Sequence, residues 1–315
     1  MTAHNSQIIS DKQLKRAAWK TGLKKTLKRF KSPFVILMFL IIAAECFTFI
    51  YAIYWGLITS LKSLNNFRED IFGFPRKLMF SNYSVVFERL YVTIRSGGGS
   101  REVMFPELLF NSLTFAVVLT IVAILSRAMV AYVACKYRFR FNKVLHFTVV
   151  LSIVVPPISS LGMTLQLARI LHIYDNFPVF VWSCIGFSDA GFLIWSGVFK
   201  NISNEYMEAA RIDGAGHFYT MFLVMFPLAR VPIMIMAVLG FIGNWNGYYT
   251  QLTLLPSMPN LSLALWHFQW DTTNIISWPH MQIAASMIVA LPCLVLYFIF
   301  QRWFVGNLTM GGLKG

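Results

Sequence analysis

Six stretches of this chain are long, apolar and carry at most one charged residue each: approximately Pro33–Thr59, Leu108–Cys135, Leu145–Ala168, Phe177–Phe199, Phe218–Phe241 and Met281–Phe300. A helix needs roughly 20 apolar residues to cross the hydrocarbon of a bilayer, and every run is long enough. Charge is confined mostly to the segments between them. Only 13% of the 315 residues are charged, 57% are hydrophobic and the mean hydropathy is +0.61. A soluble domain carries about a quarter charged residues, interleaved with its apolar ones. The pattern therefore predicts an all-α polytopic membrane protein with six transmembrane helices. The first run follows a 32-residue tail and is too long for the h-region of a secretory signal, so it reads as a retained span.

The net charge of +14 invites a nucleic-acid reading, but its placement opposes one. Nine basic residues from Lys12 to Lys31 crowd the tail of residues 1–32, where Asp11 is the only acid. The short connection Lys136–Lys143 adds Lys136, Arg138, Arg140 and Lys143 with no acid. Short basic segments beside spans mark the cytoplasmic side, and a polybasic tail can also lie against anionic lipid. Six crossings then leave both termini in the cytoplasm. Cytoplasmic segments hold 17 of the 27 Lys and Arg, against seven basic and five acidic residues in the first outside loop, Leu61–Glu107. That loop contains Asn82-Tyr83 and a Gly97-Gly98-Gly99-Ser100 run, which reads as a flexible linker and lacks the lysine of a phosphate loop. The last outside loop, Gly247–His280, carries Trp266, Trp270 and Trp278, which suit an interfacial aromatic belt or stacking on sugar rings.

Catalytic and metal chemistry find no pattern here. Cys46, Cys135, Cys184 and Cys293 are dispersed and read as packing residues, and the six histidines lack metal-ligand spacing. Glu45, Arg127 and Asp189 lie inside apolar runs, where charge is costly and usually faces a bundle interior or a cavity. Asp189, between Gly186 and Gly191, reads equally as a lining of a substrate path or as a structural hydrogen-bond partner. Arg127, near the cytoplasmic end of its run, can snorkel, and Glu45 can pair with another subunit.

The segment between the fourth and fifth runs, about residues 200–219, is polar and sits on the expected cytoplasmic side. It reads Glu208-Ala209-Ala210-Arg211-Ile212-Asp213-Gly214, then Val224-Met225-Phe226-Pro227 nine residues later. Ser203 can cap a short helix with Glu205 in its first turn, and Gly214 can take the left-handed conformation that ends it. Ala209 and Ala210 give a smooth surface for close approach, and Glu208 gives a charge for a specific partner. The result is a compact knob between two spans.

This string resembles the signature loop of bacterial ABC importer permeases: Glu-Ala-Ala, three residues, Gly, nine residues, Ile-x-Leu-Pro. Val224 and Phe226 stand for the Ile and Leu, and Ser203 replaces a proline usual before the helix. Further stretches are similar to maltose-type sugar permeases: Asn111-Ser112-Leu113, Ala131-Tyr132-Val133, Pro156-Pro157, Asp213-Gly214-Ala215, Trp245-Asn246 and the tail Gly311-Gly312-Leu313-Lys314-Gly315. The likeness runs from about Gly73 to the C-terminus. It implies a type I ABC importer permease fold and a coupling helix seated in a cytoplasmic ATPase, with Glu208, Ala209, Ala210, Asp213 and Gly214 at the contact. It further implies a maltose-G-like tail in which Gly311, Gly312 and Lys314 reach the ATPase pair. The implied partners are a second homologous permease, two ATPase subunits and an extracytoplasmic solute-binding protein. No Gly-x-x-x-x-Gly-Lys-Ser/Thr is present, so ATP and Mg belong to the ATPase subunits, and no cofactor is expected on this chain. Asp189, Asn246 and Arg127 are the candidates for the substrate path. The competing readings are a secondary transporter complete in one chain and a membrane enzyme such as a transferase.

Overall fold

The computed structural model describes residues 33–96, 99–137, 139–155, 161–270 and 278–308. The basic tail, Pro156-Pro157 and the C-terminal Gly311, Gly312 and Lys314 lie outside the described residues. Three helices are long and apolar enough to cross a membrane: α1 (Pro33–Ser60), α4 (Phe105–Lys136) and α14 (Pro279–Leu308). α1 matches its expected run almost to the residue. It presents most of its side chains outward and packs along α14, where Gly56 abuts Met287.

The other three apolar runs are interrupted, two of them beside a proline. The third run becomes α5 (Asn142–Val154) and α6 (Leu161–Ile170). Val155 is extended, with φ −88° and ψ 104°, as the residue before Pro156 must be. The fourth run becomes α7 (Phe177–Ser183) and α8 (Ala190–Asn201), separated by the non-helical stretch 184–189. The fifth becomes α10 (His217–Leu228), wound as a π-helix over Thr220–Met225, and α11 (Arg230–Asn246), with a 79° bend between them. Pro232 near the start of α11 cannot donate the backbone bond that would continue α10 across Ala229. If that pair is one bent span, four spans satisfy length and composition.

The all-α expectation needs one amendment, because the loop Leu61–Glu107 is built rather than slack. After α2 (Leu64–Glu69) and α3 (Ser81–Arg89), β1 (Tyr91–Ser96) pairs antiparallel with β2 (Gly99–Met104), with Tyr91 opposite Met104 and Ser96 opposite Gly99. The glycine run read as a linker therefore ends inside β2, which begins at Gly99; Gly97 and Gly98 themselves lie outside the described residues. Lys62 is fully buried, and its Nζ donates to the carbonyls of Asp70 (2.7 Å) and Ile71 (3.0 Å). The Asn82 amide donates to the carbonyls of Ser60 (2.8 Å) and Lys62 (2.9 Å), tying α3 to the end of α1.

α4 is the 32-residue axis on which the rest is assembled, and it packs most extensively with α11 and α8. One core surrounds its N-terminal half: Leu108 and Ala116 meet Trp245, Ala264 and Phe268 of α13 (Leu261–Phe268), and Ala284 of α14. A second surrounds its C-terminal half, where Ala128, Ala131 and Tyr132 meet Trp195, Phe199, Met207, Met225 and Phe226. The Asn111-Ser112 pair has a structural role: the Asn111 amide donates to Pro259 O (3.0 Å), and Ser112 Oγ accepts from Leu261 N (2.8 Å).

α4 and α11 approach closely where Gly240 faces Thr120. A Cβ at Gly240 would lie 3.2 Å from Thr120 Cγ2, and Thr120 Oγ1 also accepts from the Asn244 amide at 3.2 Å. Gly240→Leu is expected to cost about 1–3 kcal/mol by overpacking, read as a lowered thermal midpoint in detergent, with Gly240→Ala milder. An unchanged midpoint for the leucine variant would contradict this packing.

Candidate functional site

The polar knob forms as a short helix closed at its C-terminal end. α9 (Glu205–Ile212) begins after Asn204, and Ser203 Oγ accepts from Glu205 N at 3.2 Å. Glu205 and Glu208 occupy the first turn, where the helix dipole favours negative charge. At the other end Gly214 N donates to Arg211 O (3.0 Å) and Ala215 N to Ala210 O (2.9 Å), both bonds of a Schellman motif. Gly214 has φ +82°, the left-handed value that glycine adopts without penalty.

The knob is fastened to the end of the α4 axis. Lys136 Nζ donates to Ile202 O (2.5 Å) and to Asn204 Oδ1 (2.8 Å). The Tyr137 hydroxyl bonds His217 Nδ1 (2.9 Å), and the Arg211 guanidinium lies over the Tyr137 ring at 5.3 Å. Met207 enters the inner core.

Glu208, Ala209, Asp213 and Gly214 are exposed, whereas Ala210 is buried by the chain itself. The two alanines therefore do not share one open face: successive helical residues are turned by about 100°. The open apolar surface comes instead from residues the motif does not highlight. Ile212 is 86% exposed and Phe218 73%, with Tyr206 and Tyr219 also exposed. Beside them a concavity of about 510 Å³ is lined by Ala210, Asp213, Gly214, Ala215, Gly216, Tyr219 and Val224. Ile212, an isoleucine between Arg211 and Asp213 in a polar helix, was the one readable signal.

The charged groups within the runs are also placed. Arg127 turns its guanidinium to another element of this chain. Its Nε and Nη2 reach Asp189 Oδ2 at 2.6 and 2.5 Å, while Asp189 Oδ1 accepts from Gly191 N at 2.9 Å and caps α8. The neighbouring stretch is held likewise: Ser126 Oγ donates to Gly186 O (3.1 Å) and Ser152 Oγ to Ser188 O (2.7 Å). Arg127 Nη1 is buried and has no partner among the described residues. Asn246 does not join this pair. It is the exposed last residue of α11, following Trp245, whose ring belongs to the other core. Glu45 lies exposed on α1. Among the described residues no cluster of His, Cys, Asp and Glu can hold a metal ion.

Comparison with known proteins agrees with this geometry. The chain is 25% identical over 247 residues to an arabinooligosaccharide transport system permease of Bacillus subtilis, covering 76% of this chain and 81% of that protein. It is 26% identical over 263 residues to a trehalose transport system permease of Mycobacterium tuberculosis, covering 83% and 91%. Among solved structures, one chain of a bacterial ABC transporter that imports the acidic polysaccharide alginate superposes with a TM-score of 0.68 at 22% identity, over 86% of this chain and 96% of that one. Residues 128–309, which include the α9 knob and the Arg127–Asp189 neighbourhood from Ala128 onward, match one family across more than half of the chain. The chain belongs to the family of binding-protein-dependent transport system inner membrane components.

Proposed function

We propose that this chain is one transmembrane half of an ATP-driven, binding-protein-dependent importer for sugars or oligosaccharides. The observation that carries the reading is the rigid α9 knob, with exposed Glu208 and Ile212, bonded to the end of the longest helix. Exposed apolar surface outside the spans marks a protein partner, and a knob bonded to α4 moves with it. A cytoplasmic ATPase subunit seats there against Glu208, Ala209, Asp213 and Gly214. Ala210 supports the seat from beneath. A second homologous permease completes the path, and two ATPase subunits hold ATP and Mg, so this chain carries no cofactor. An extracytoplasmic solute-binding protein delivers the substrate, and the Gly311, Gly312 and Lys314 tail meets the ATPase pair as in a maltose-G-like half. Sugar as substrate is supported by the relatives, which include importers of trehalose and of melibiose, raffinose and stachyose. A secondary transporter would need neither the knob nor its exposed face.

In this reading the substrate path passes the α8 N-terminus, with Arg127 and Asp189 beside it and Asn246 nearer the outer end. The side chains of the ion pair are 23% and 45% exposed within this chain, so the pair is reachable. Asp189→Asn keeps a hydrogen-bond acceptor for Gly191 N and removes the charge; uptake is expected to fall severalfold with assembly intact. Asp189→Leu leaves the guanidinium unpaired in the membrane and is expected to lower assembled yield. Normal uptake by Asp189→Leu would remove the pair from both roles.

The basic tail and Lys136–Lys143 support a reading in which both termini are cytoplasmic. A reporter fused after Gly315 is expected to be active in its cytoplasmic form; activity only in an extracytoplasmic form would overturn the orientation.

Coupling is tested at the knob. Gly214→Val forces a branched side chain into a left-handed conformation at a cost of roughly 1–2 kcal/mol, and Glu208→Lys reverses the charge offered to the ATPase. Both variants should insert normally, because no span is touched. Both are expected to bring binding-protein-stimulated ATP hydrolysis down to the unstimulated level and to abolish uptake together. Full stimulated hydrolysis and full uptake in either variant would show that α9 is not the coupling element.

A further inference from the structure

The connection between α2 and α3 turns large apolar side chains outward. Within residues 71–80, Ile71, Phe72, Phe74, Leu78 and Phe80 are all exposed, Phe72 by 69% and Phe74 by 73%. By contrast the short helix α12 (Tyr249–Thr253), which follows α11, exposes a single large apolar residue, Tyr249. Grouped apolar exposure of this kind marks an interaction surface.

The backbone of the same loop faces the other way. Asp70 Oδ1 accepts from Phe72 N (3.1 Å) and Gly73 N (2.7 Å), and Asn66 Oδ1 accepts from Arg76 N (3.1 Å). Met79 N donates to Leu61 O at 2.9 Å. Ile71 O accepts from the buried Lys62 Nζ and from the Trp55 indole N–H, each at 3.0 Å. A Cβ at Gly73 would stand 1.9 Å from Asp70 Oδ2, so only glycine lets that carboxylate hold the turn. A loop in water can leave its backbone to the solvent. One that enters the edge of the hydrocarbon must pair its backbone within the protein, and this loop does so while offering its apolar side chains.

Its depth is fixed by α1. About 20 helical residues cross the hydrocarbon, so a crossing that starts at Pro33, just past Lys31, ends near Ile53. Tyr51, Tyr54 and Trp55 stand at that level, where tyrosine and tryptophan concentrate in membrane proteins. No residue in the most apolar window of α1 is buried, so this helix turns its surface to lipid. A row of rings climbs that surface: Phe47 to Tyr51 at 5.8 Å, Tyr51 to Tyr54 at 6.2 Å, and Tyr54 to Phe74 of the loop at 6.1 Å. The apolar face of the loop thus continues the lipid-facing side of α1. Its exposed cations suit the phosphate level just above: Arg76 shares its charge with Glu69 (2.7 Å), and Lys77 follows it.

We propose that residues 71–80 are an interfacial anchor, with Phe72, Phe74, Leu78 and Phe80 seated in the boundary between phospholipid headgroups and acyl chains. Part of a segment that reads as an aqueous loop is then a membrane-binding surface. The inference needs only α1 as a span. It holds on either side of the membrane, and so stands apart from the importer reading.

The test places a nitroxide label at position 72 of the purified assembly in phospholipid nanodiscs, with Cys46, Cys135, Cys184 and Cys293 replaced by alanine. Collision with oxygen, which concentrates in lipid, is compared with collision with a water-soluble nickel chelate. A label at Phe49 on α1 gives the lipid reference, and one at the exposed Glu102 on β2 gives the aqueous reference. The oxygen-to-nickel ratio at position 72 is expected to be several-fold above that at Glu102 and to approach that at Phe49. A ratio equal to that at Glu102 would leave the loop in water and overturn the proposal. Low collision with both reagents would overturn it in favour of a protein partner covering the loop. A second measurement needs no substitution: diazirine-bearing phospholipids photolysed around the wild-type assembly should modify residues 71–80 as well as α1. Modification of α1 with none in the loop would equally overturn the anchor.

Discussion

A helix that breaks inside hydrocarbon exposes carbonyls and N–H groups that no water can satisfy, and this chain breaks three of its apolar runs. α4 supplies much of the remedy. Ser126 donates to Gly186 O and Arg127 engages Asp189 at the gap between α7 and α8. Higher on the same helix Asn111 and Ser112 bind the backbone leading into α13. At its lower end Lys136 binds the backbone that leads into α9. The uninterrupted helix is thus the condition for the interrupted ones. A break in α4 would leave several of these partners unpaired at once.

The same dependence gives the knob its mechanical character. The coupling role proposed for it requires an element that does not yield locally. α9 is short, and a helix of eight residues has little stability alone. Beyond its own Schellman bonds at Gly214, its order comes from outside: the Lys136 anchor, the Tyr137–His217 bond and Met207 in the inner core. These contacts face the membrane portion, which leaves Glu208, Ala209 and Ile212 open on the other side.

Local rules therefore carried far in some places and stopped short in others. The first span and the Gly214 turn were legible because hydropathy and backbone sterics act over a few residues. The interruptions were less so, although Pro156 and Pro232 stood in the sequence, because apolarity alone cannot tell an unbroken helix from two broken ones. The paired strands escaped because the glycine run between them has the composition of a linker, and only the pairing of Tyr91 with Met104 reveals the sheet. Arg127 was read as able to snorkel or to join a substrate path, and its pairing with Asp189 was not legible because the partner is 62 residues away. Lys62, fully buried on two backbone carbonyls, carried no signal: it is defined by what the fold places around it.

The Arg127–Asp189 pair shows how one small residue makes a costly arrangement workable. Guanidinium and carboxylate meet within an apolar region, where each would be prohibitive alone. Close approach requires room for the arginine stem, and Gly191 provides it: a Cβ there would stand 2.7 Å from Arg127 Cδ and 2.9 Å from Asp189 Oδ1. Any side chain at this position would push the stem away or displace the carboxylate from its cap on α8. The glycine N–H is meanwhile the donor that Asp189 Oδ1 accepts. Gly191 thus clears space for the cation and orients the anion, and the open position of Arg127 Nη1 follows from that geometry. With Oδ1 committed to the backbone and Oδ2 shared by Nε and Nη2, the carboxylate has no oxygen left to offer Nη1, which is buried without a partner among the described residues.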